Sequence, residues 1–342
     1  MPDMSFFKSF FTLTIMLAVV LSSCDLIKDG SDDDCGIYLE FIYEHNMEYT
    51  DAFNPHVGVV DVFVFDEQGR YMFVKNSPRE ELITGKRMFL GADLPIGKYR
   101  VLTVGGLSGS FRVADAASQP LIPGQTRLED VRIALKRSTT TVADRLPDLW
   151  VGESIEVCHQ ADLSVWPVHL IKETNHFDLL LSDASPEPGT LPPPGYTFEI
   201  VTTEGAVYGH DNQPGLNETV TFAPYRLEAG SEPGELSHAH ISTARLVDGD
   251  YNYRLIVRNT QTGEVLWDYD LIRLLAHIKP DTRPDGTELP LQEFLDRQSE
   301  WHLVILYRGC DDTCQPPAQP GEYVAVGVKI NGWIIWFNDI GV

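Results

Sequence analysis

"LPIGKYRVLTV" at residues 94–104 and "LVDGDYNYRLIV" at residues 246–257 share one order: a leucine, a short turn with glycine, a tyrosine, then an apolar run. Leu94-Pro95-Ile96-Gly97-Lys98-Tyr99 and Leu246-Val247-Asp248-Gly249-Asp250-Tyr251 lie 152 residues apart. In such a corner Gly permits the positive φ of a tight turn, Leu closes one strand, and Tyr opens the next with its ring over a core. One corner could arise by chance. Its return half a chain later predicts two sandwiches of one type.

The flanking sequence agrees. Val131, Ile133 and Leu135 alternate with Arg132 and Lys136, and Tyr253, Leu255 and Val257 alternate with Arg254 and Arg258. Near the end, Val324, Val326, Val328 and Ile330 alternate with Ala325, Gly327 and Lys329. Such runs are half-buried strands with one wet face, the pattern of antiparallel sheets. Helical spacing is confined to Leu271, Leu274, Leu275 and Ile278, and to Leu291, Phe294 and Leu295. The expected fold is all-β, two tandem sandwiches with a few short helices. A chain of 342 residues suits two domains of about 150 residues. The boundary is placed near residue 162, giving 35–162 and 163–342, with proline-rich "SPEPGTLPPPG" (185–195) as a loop of the second domain.

The N-terminus is an export signal. Lys8 supplies a positive region, Phe10 to Leu21 an apolar stretch, and Ser22 and Ser23 the small residues of a cleavage site. Leu21-Ser22-Ser23-Cys24 fits the bacterial lipobox, in which the cysteine sulfur takes a diacylglycerol. Residues 1–23 are then a lipoprotein signal peptide and Cys24 carries the lipid. Several acyl chains anchor stably, because each buried CH₂ contributes about 0.8 kcal/mol. "DLIKDGSDDD" (25–34) is an acidic, flexible tether with little to bury.

Four further cysteines allow three pairings. An exported protein tolerates disulfides, and the expected pairs are Cys310 with Cys314, closing a small loop, and Cys35 with Cys158. Zinc on Cys310 and Cys314 with His302 is the alternative, but no second closely spaced cysteine pair completes the ligands.

The net charge of -24 repels nucleic acid and anionic headgroups, so neither is an expected direct partner. Sequence signatures of catalysis are missing: there is no H-E-x-x-H, no Walker loop and no G-x-S-x-G. "GGLSGS" (105–110) misplaces its serine for that elbow, and "DGDYN" (248–252) lacks the later glutamate of a calcium loop. No carboxylate pair stands out for glycoside cleavage. His238 and His240 in "SHAHIST" could share a strand face and bind a metal, but two ligands read more simply as solvated histidines, so no metal is expected. Trp333 and Trp336 are expected as one core and one edge residue, with a sugar-stacking surface as the alternative. The expected protein is not an enzyme and has no cofactor beyond the lipid on Cys24.

Taken in order, the lipobox, "CGIYLEFIYEHN", "VVDVFVFDEQGRYMF", "LPIGKYRVLTVGGL", "DLWVG", "ISTARLVDGDYNYRLIVRNTQTGEVLWDYDLIRLL", "LQEFLDRQSEWHLVILY" and "VKINGWIIWFNDI" resemble the FimB-type fimbrial anchor lipoproteins of Bacteroidales. The resemblance implies two tandem transthyretin-like β-sandwiches. It also implies an outer-membrane lipoprotein, exposed at the cell surface, that holds the base of a type V pilus and aids its assembly or length control. The implied partner is a fimbrial stalk subunit, joined by strand addition to an open sheet edge. The competing expectation is a surface lipoprotein adhesin that binds glycans or host protein.

Overall fold

The computed structural model describes residues 36–82, 85–91, 94–160, 162–184, 195–309 and 323–337. Cys24, the signal and tether, Cys35, Cys310, Cys314 and residues 185–194 of the proline-rich loop lie outside the described residues.

The first half contributes β1 (Ile37–Ile42), β2 (Val59–Asp66), β3 (Tyr71–Pro78), β4 (Arg87–Phe89), β5 (Gly97–Gly105), β6 (Phe111–Ala114), β7 (Arg132–Leu135), β8 (Thr141–Val142), β9 (Trp150–His159) and β10 (Ser164–Lys172). The second contributes β11 (Thr174–Asp183), β12 (Tyr196–Thr202), β13 (Val207–Tyr208), β14 (Val220–Phe222), β15 (Arg226–Ala229), β16 (Glu235–Ala244), β17 (Arg254–Asn259), β18 (Val265–Asp270), β19 (Glu300–Gly309), β20 (Tyr323–Ile330) and β21 (Trp333–Trp336). Among the described residues four short α-helices accompany them: α1 (Phe53–His56), α2 (Arg79–Leu82), α3 (Leu271–Ala276) and α4 (Leu291–Arg297). The last two are those read from the leucine spacing. α3 is started by Asp270, whose side chain accepts from the Arg273 N–H.

The two halves repeat one wiring. In the first, β1 lies between antiparallel β4 and parallel β10, while β2 lies between β5 and β3. In the second, β11 lies between antiparallel β16 and parallel β19, while β12 lies between β17 and β14. The two tyrosine corners occupy equivalent places, one joining β4 to β5 and the other β16 to β17. The second carries the chain from the six-stranded sheet to the five-stranded one, whereas β4 and β5 at the first belong to one seven-stranded sheet, β4 at its edge. The fold is two tandem transthyretin-like β-sandwiches.

Several details depart from the sequence reading. The sheets are mixed, because β1 with β10, β11 with β19 and β8 with β14 run parallel. Gly97 is not among the positive-φ residues, whereas Gly249 has φ 156 and a Cβ there would lie 2.9 Å from Tyr251 Cε2. The two corners therefore use their glycines differently.

β10 also shifts the division of the chain. A boundary at 162 puts it in the second domain, yet it pairs with β9 on one side and β1 on the other, in a seven-stranded sheet of order β3-β2-β5-β9-β10-β1-β4. A parallel partner 127 residues away in sequence, Ser164 opposite Ile37, leaves no local trace in a sequence. The chain crosses to the second half at Glu173, between β10 and β11.

Two apolar cores result. One joins Ile37, Leu39 and Phe41 of β1 to Val60, Val62 and Val64 of β2. The other takes Phe63 and Phe65 from the opposite face of β2, collects Phe111, Ile133 and Leu135, and continues into Phe177, Leu179, Phe198 and Trp301 of the second half. The halves also exchange strands: β13 pairs with β7, and β8 pairs with β14. The second half is otherwise a six-stranded sheet (β15-β16-β11-β19-β20-β21) facing a five-stranded one (β18-β17-β12-β14-β8).

Candidate functional site

The six-stranded sheet ends in the hairpin β20–β21, and this edge is the candidate site. Asn331 and Gly332 have φ 45 and 96, the paired positive φ values of a tight two-residue hairpin turn that Asn-Gly is suited to make. The turn is locked to β19: the His302 N–H donates to Asn331 Oδ1 at 2.8 Å, and the Asn331 N–H returns a bond to the His302 carbonyl oxygen at 2.9 Å. Asn-Gly before an apolar run was the signal in the sequence that could have identified this hairpin.

Among the described residues β21 has β20 as its one neighbour, which leaves a row of backbone groups along its far side without a strand partner there. Trp333 is 70% exposed, Ile334 53% and Trp336 46%. Both tryptophans are thus at the surface, and the expected core tryptophan is not found in this strand. Ile335 packs partly against the core. Trp336 lies over Gly327 of β20, where a Cβ would stand 3.0 Å from Trp336 Cε3 and 2.8 Å from the Ile335 carbonyl oxygen. The next residue pins the strand end to the opposite sheet: the Phe337 ring stacks on Trp267 and Tyr269 of β18, each at 5.9 Å. A held strand with three large apolar side chains in water can take up a partner strand, each side chain contributing about 2 kcal/mol when covered.

The other edge of this sheet is unlike it. In β15 all four residues are exposed, and Arg226 pairs with Glu228 at 2.8 Å. Charges of this kind blunt an edge against strand addition.

On the outer face of the same sheet, the two histidines of "SHAHIST" do share one side of β16, and neighbouring strands bring more. Asp178 of β11 lies directly opposite His240 of β16 and directly opposite His302 of β19. His238 Nε2 is hydrogen-bonded to Asp178 Oδ1, and His302 Nδ1 stands 2.9 Å from Asp178 Oδ2. Burial pushes the Asp178 carboxyl up, but the bonds and charge of His238 and His302 outweigh it and hold the group below the ordinary carboxylate range. Burial lowers His240. Asp178 had no signal in the sequence beyond being a charge at an outward position of an apolar strand.

Among the cysteines, Cys158 is a free, half-buried thiol of β9 that accepts from Gln160 Nε2 at 3.7 Å. Cys35, its expected partner, lies outside the described residues, so that pairing stands as an expectation.

Comparison with known proteins matches this arrangement. A family model described as fimbrillin-A associated anchor proteins Mfa1 and Mfa2 covers residues 31–339. The chain belongs to the Mfa2 family. Solved structures agree with that membership. A candidate adhesin from Bacteroides ovatus is 38% identical, with a TM-score of 0.79 over 92% of this chain and 98% of its own. A candidate polysaccharide-binding protein from Bacteroides thetaiotaomicron is 28% identical, with a TM-score of 0.73 over 89% and 98%. The fimbrial anchor protein Mfa2 from Porphyromonas gingivalis shares the fold, with a TM-score of 0.65 at 17% identity over 88% and 98%. A search of curated proteins found no match. The Mfa2 family is a structural one, of fimbrial anchor and adhesin type.

Proposed function

We propose that this protein is an outer-membrane lipoprotein that anchors the base of a type V fimbria, tied to the membrane by lipid on Cys24 and aiding assembly or length control. A stalk subunit joins by adding a strand to β21. The exposed apolar edge formed by Trp333, Ile334 and Trp336 carries this reading, and Mfa2 family membership supports it. The acidic stretch 25–34 acts as the spacer that lets a protein of net charge -24 overall stand off an anionic surface.

Crosslinking on intact cells tests both parts. The recovered protein should carry a fimbrial subunit, joined through peptides near residue 333. Labelled fatty acid should enter the native chain and not the Cys24→Ser form. Filaments purified without this protein or any crosslink to it would refute the anchoring role.

A second reading rests on the same two tryptophans, whose exposed rings could stack on sugars. A glycan-binding adhesin would show saturable polysaccharide binding that Trp336→Ala abolishes.

A further inference from the structure

We propose that Asp178, His238, His240 and His302 form a binding site for a divalent transition-metal ion, with Zn²⁺ the best match. The donor set is three imidazoles and one carboxylate. That chemistry suits Zn²⁺, Cu²⁺ or Ni²⁺, whereas Ca²⁺ and Mg²⁺ ask for several oxygens and would find one carboxylate here. Three of the chain's 10 histidines converge on this single acid.

The geometry is close to what tetrahedral zinc needs. Ligand atoms of Asp178, His238 and His240 lie within 4.8 Å of one another. His240 Nδ1 is 3.9 Å from Asp178 Oδ1, and His302 Nδ1 is 2.9 Å from Asp178 Oδ2. Donors at 2.0–2.2 Å from a tetrahedral zinc stand about 3.4 Å apart, and the Asp178, His238 and His240 donors are spaced on that scale, with His302 reaching the same carboxylate from the strand on the other side of β11. The backbone is already placed on the three adjacent strands β16, β11 and β19: His240 and His302 are in direct cross-strand register with Asp178, and His238 lies two residues along β16, opposite Leu180.

Asp178, His240 and His302 sit in a shallow depression of this face. Arg145, Asp148, His176, Tyr225 and Glu300 line the same depression. Tyr225 stacks on the His240 ring at 6.0 Å and 30°, which fixes its plane. His240 and His238 lie ring to ring at 4.6 Å, close enough to serve one ion.

Cobalt titration of the untagged full chain in detergent tests the site. One equivalent of Co²⁺ should give the visible d–d bands of a four-coordinate ion, without a sulfur-to-cobalt charge-transfer band, and Zn²⁺ should displace it. Asp178→Asn and His240→Ala should each weaken Zn²⁺ at least about tenfold, since loss of outer-shell partners alone costs that much. His302→Ala, at an exposed position, is the variant least able to disturb folding and should lower affinity as well. No saturable binding would show a hydrogen-bonded histidine cluster and overturn the proposal. So would binding that survives all three substitutions, or a thiolate band that moves the ion to the cysteines.

Discussion

The Tyr99 hydroxyl donates to the Pro95 carbonyl oxygen at 2.7 Å, tying the first tyrosine corner across its own turn. At the second corner the same task passes to Tyr253, whose hydroxyl donates to the Arg245 carbonyl oxygen at 3.1 Å and accepts from the Val247 N–H at 3.2 Å. A tyrosine that reaches back to upstream backbone at a sheet-to-sheet corner is a known device of β-sandwiches. Tyr99→Phe keeps the ring and removes one bond, so it should cost about 1 kcal/mol. Tyr253→Phe should cost more, because it leaves the buried Val247 N–H unpaired. Urea unfolding of the two variants measures both, and equal losses would contradict the difference in geometry.

Arg245 and Asp296, each with a side chain 6% exposed, form a bidentate ion pair through bonds of 2.7 and 2.8 Å. The remaining guanidinium nitrogen, Nη1, donates to the Asn212 carbonyl oxygen at 2.7 Å, and Asn212 Nδ2 donates to Glu173 Oε1 at 2.6 Å. The pair thus braces the point where the chain passes from one sandwich to the other. Arg245→Met strands a buried carboxylate and should cost about 3–5 kcal/mol, most of it regained in the double variant with Asp296→Leu. Equilibrium denaturation would detect the rescue, and its absence would argue against a paired charge.

Burial pushes the Glu173 carboxyl up to about 8 and the Glu204 carboxyl up to about 7. A raised folded-state value means that the folded protein holds protons the unfolded chain has released. Stability from these groups is fully present below the ordinary carboxylate range and is lost as pH rises through about 7 and about 8. The slope is up to about 1.4 kcal/mol per pH unit for each proton. Melting temperatures taken between about pH 5 and about pH 8 should fall for the native chain and fall less for Glu173→Gln. Parallel pH profiles would remove Glu173 from the account.

At the edge strand, Trp333→Lys and Ile334→Lys replace apolar area with charges that discourage strand addition. Both side chains are already in water, so stability should change by less than about 0.5 kcal/mol. Capture of a fimbrial subunit in the crosslinking assay should fall sharply. Unchanged capture would move the docking surface away from β21.

A chain ended at residue 162 lacks β10, the strand between β9 and β1. Leu170 and Val168 leave the core with it, and both sheet neighbours are left with open edges. This fragment should show no cooperative unfolding and a flat near-ultraviolet circular dichroism spectrum. A cooperative transition would mean that β10 is dispensable to the first sandwich.

Much of the architecture is written in short-range pattern. Burial in β12 alternates without a break from Tyr196 to Thr202, the apolar triplets Leu271, Leu274, Leu275 and Leu291, Phe294, Leu295 form α3 and α4, and Leu94 and Leu246 close equivalent corners. These features depend on residues within a few positions of one another, where side-chain period and turn chemistry act directly. The Asn331-Gly332 hairpin is equally local and readable.

What folding alone decided involves partners far apart along the chain. β10 joins the first sandwich because β1 offers it a parallel edge, and parallel pairing needs a long crossover that leaves no mark on either strand. Asp178 meets His238 from 60 residues away and His302 from 124, through the register of three strands. Periodicity says that a side chain faces outward, but it does not say which strand will lie beside it. That choice belongs to the packing of the two cores, and it gathers a scattered aspartate and three histidines into one site.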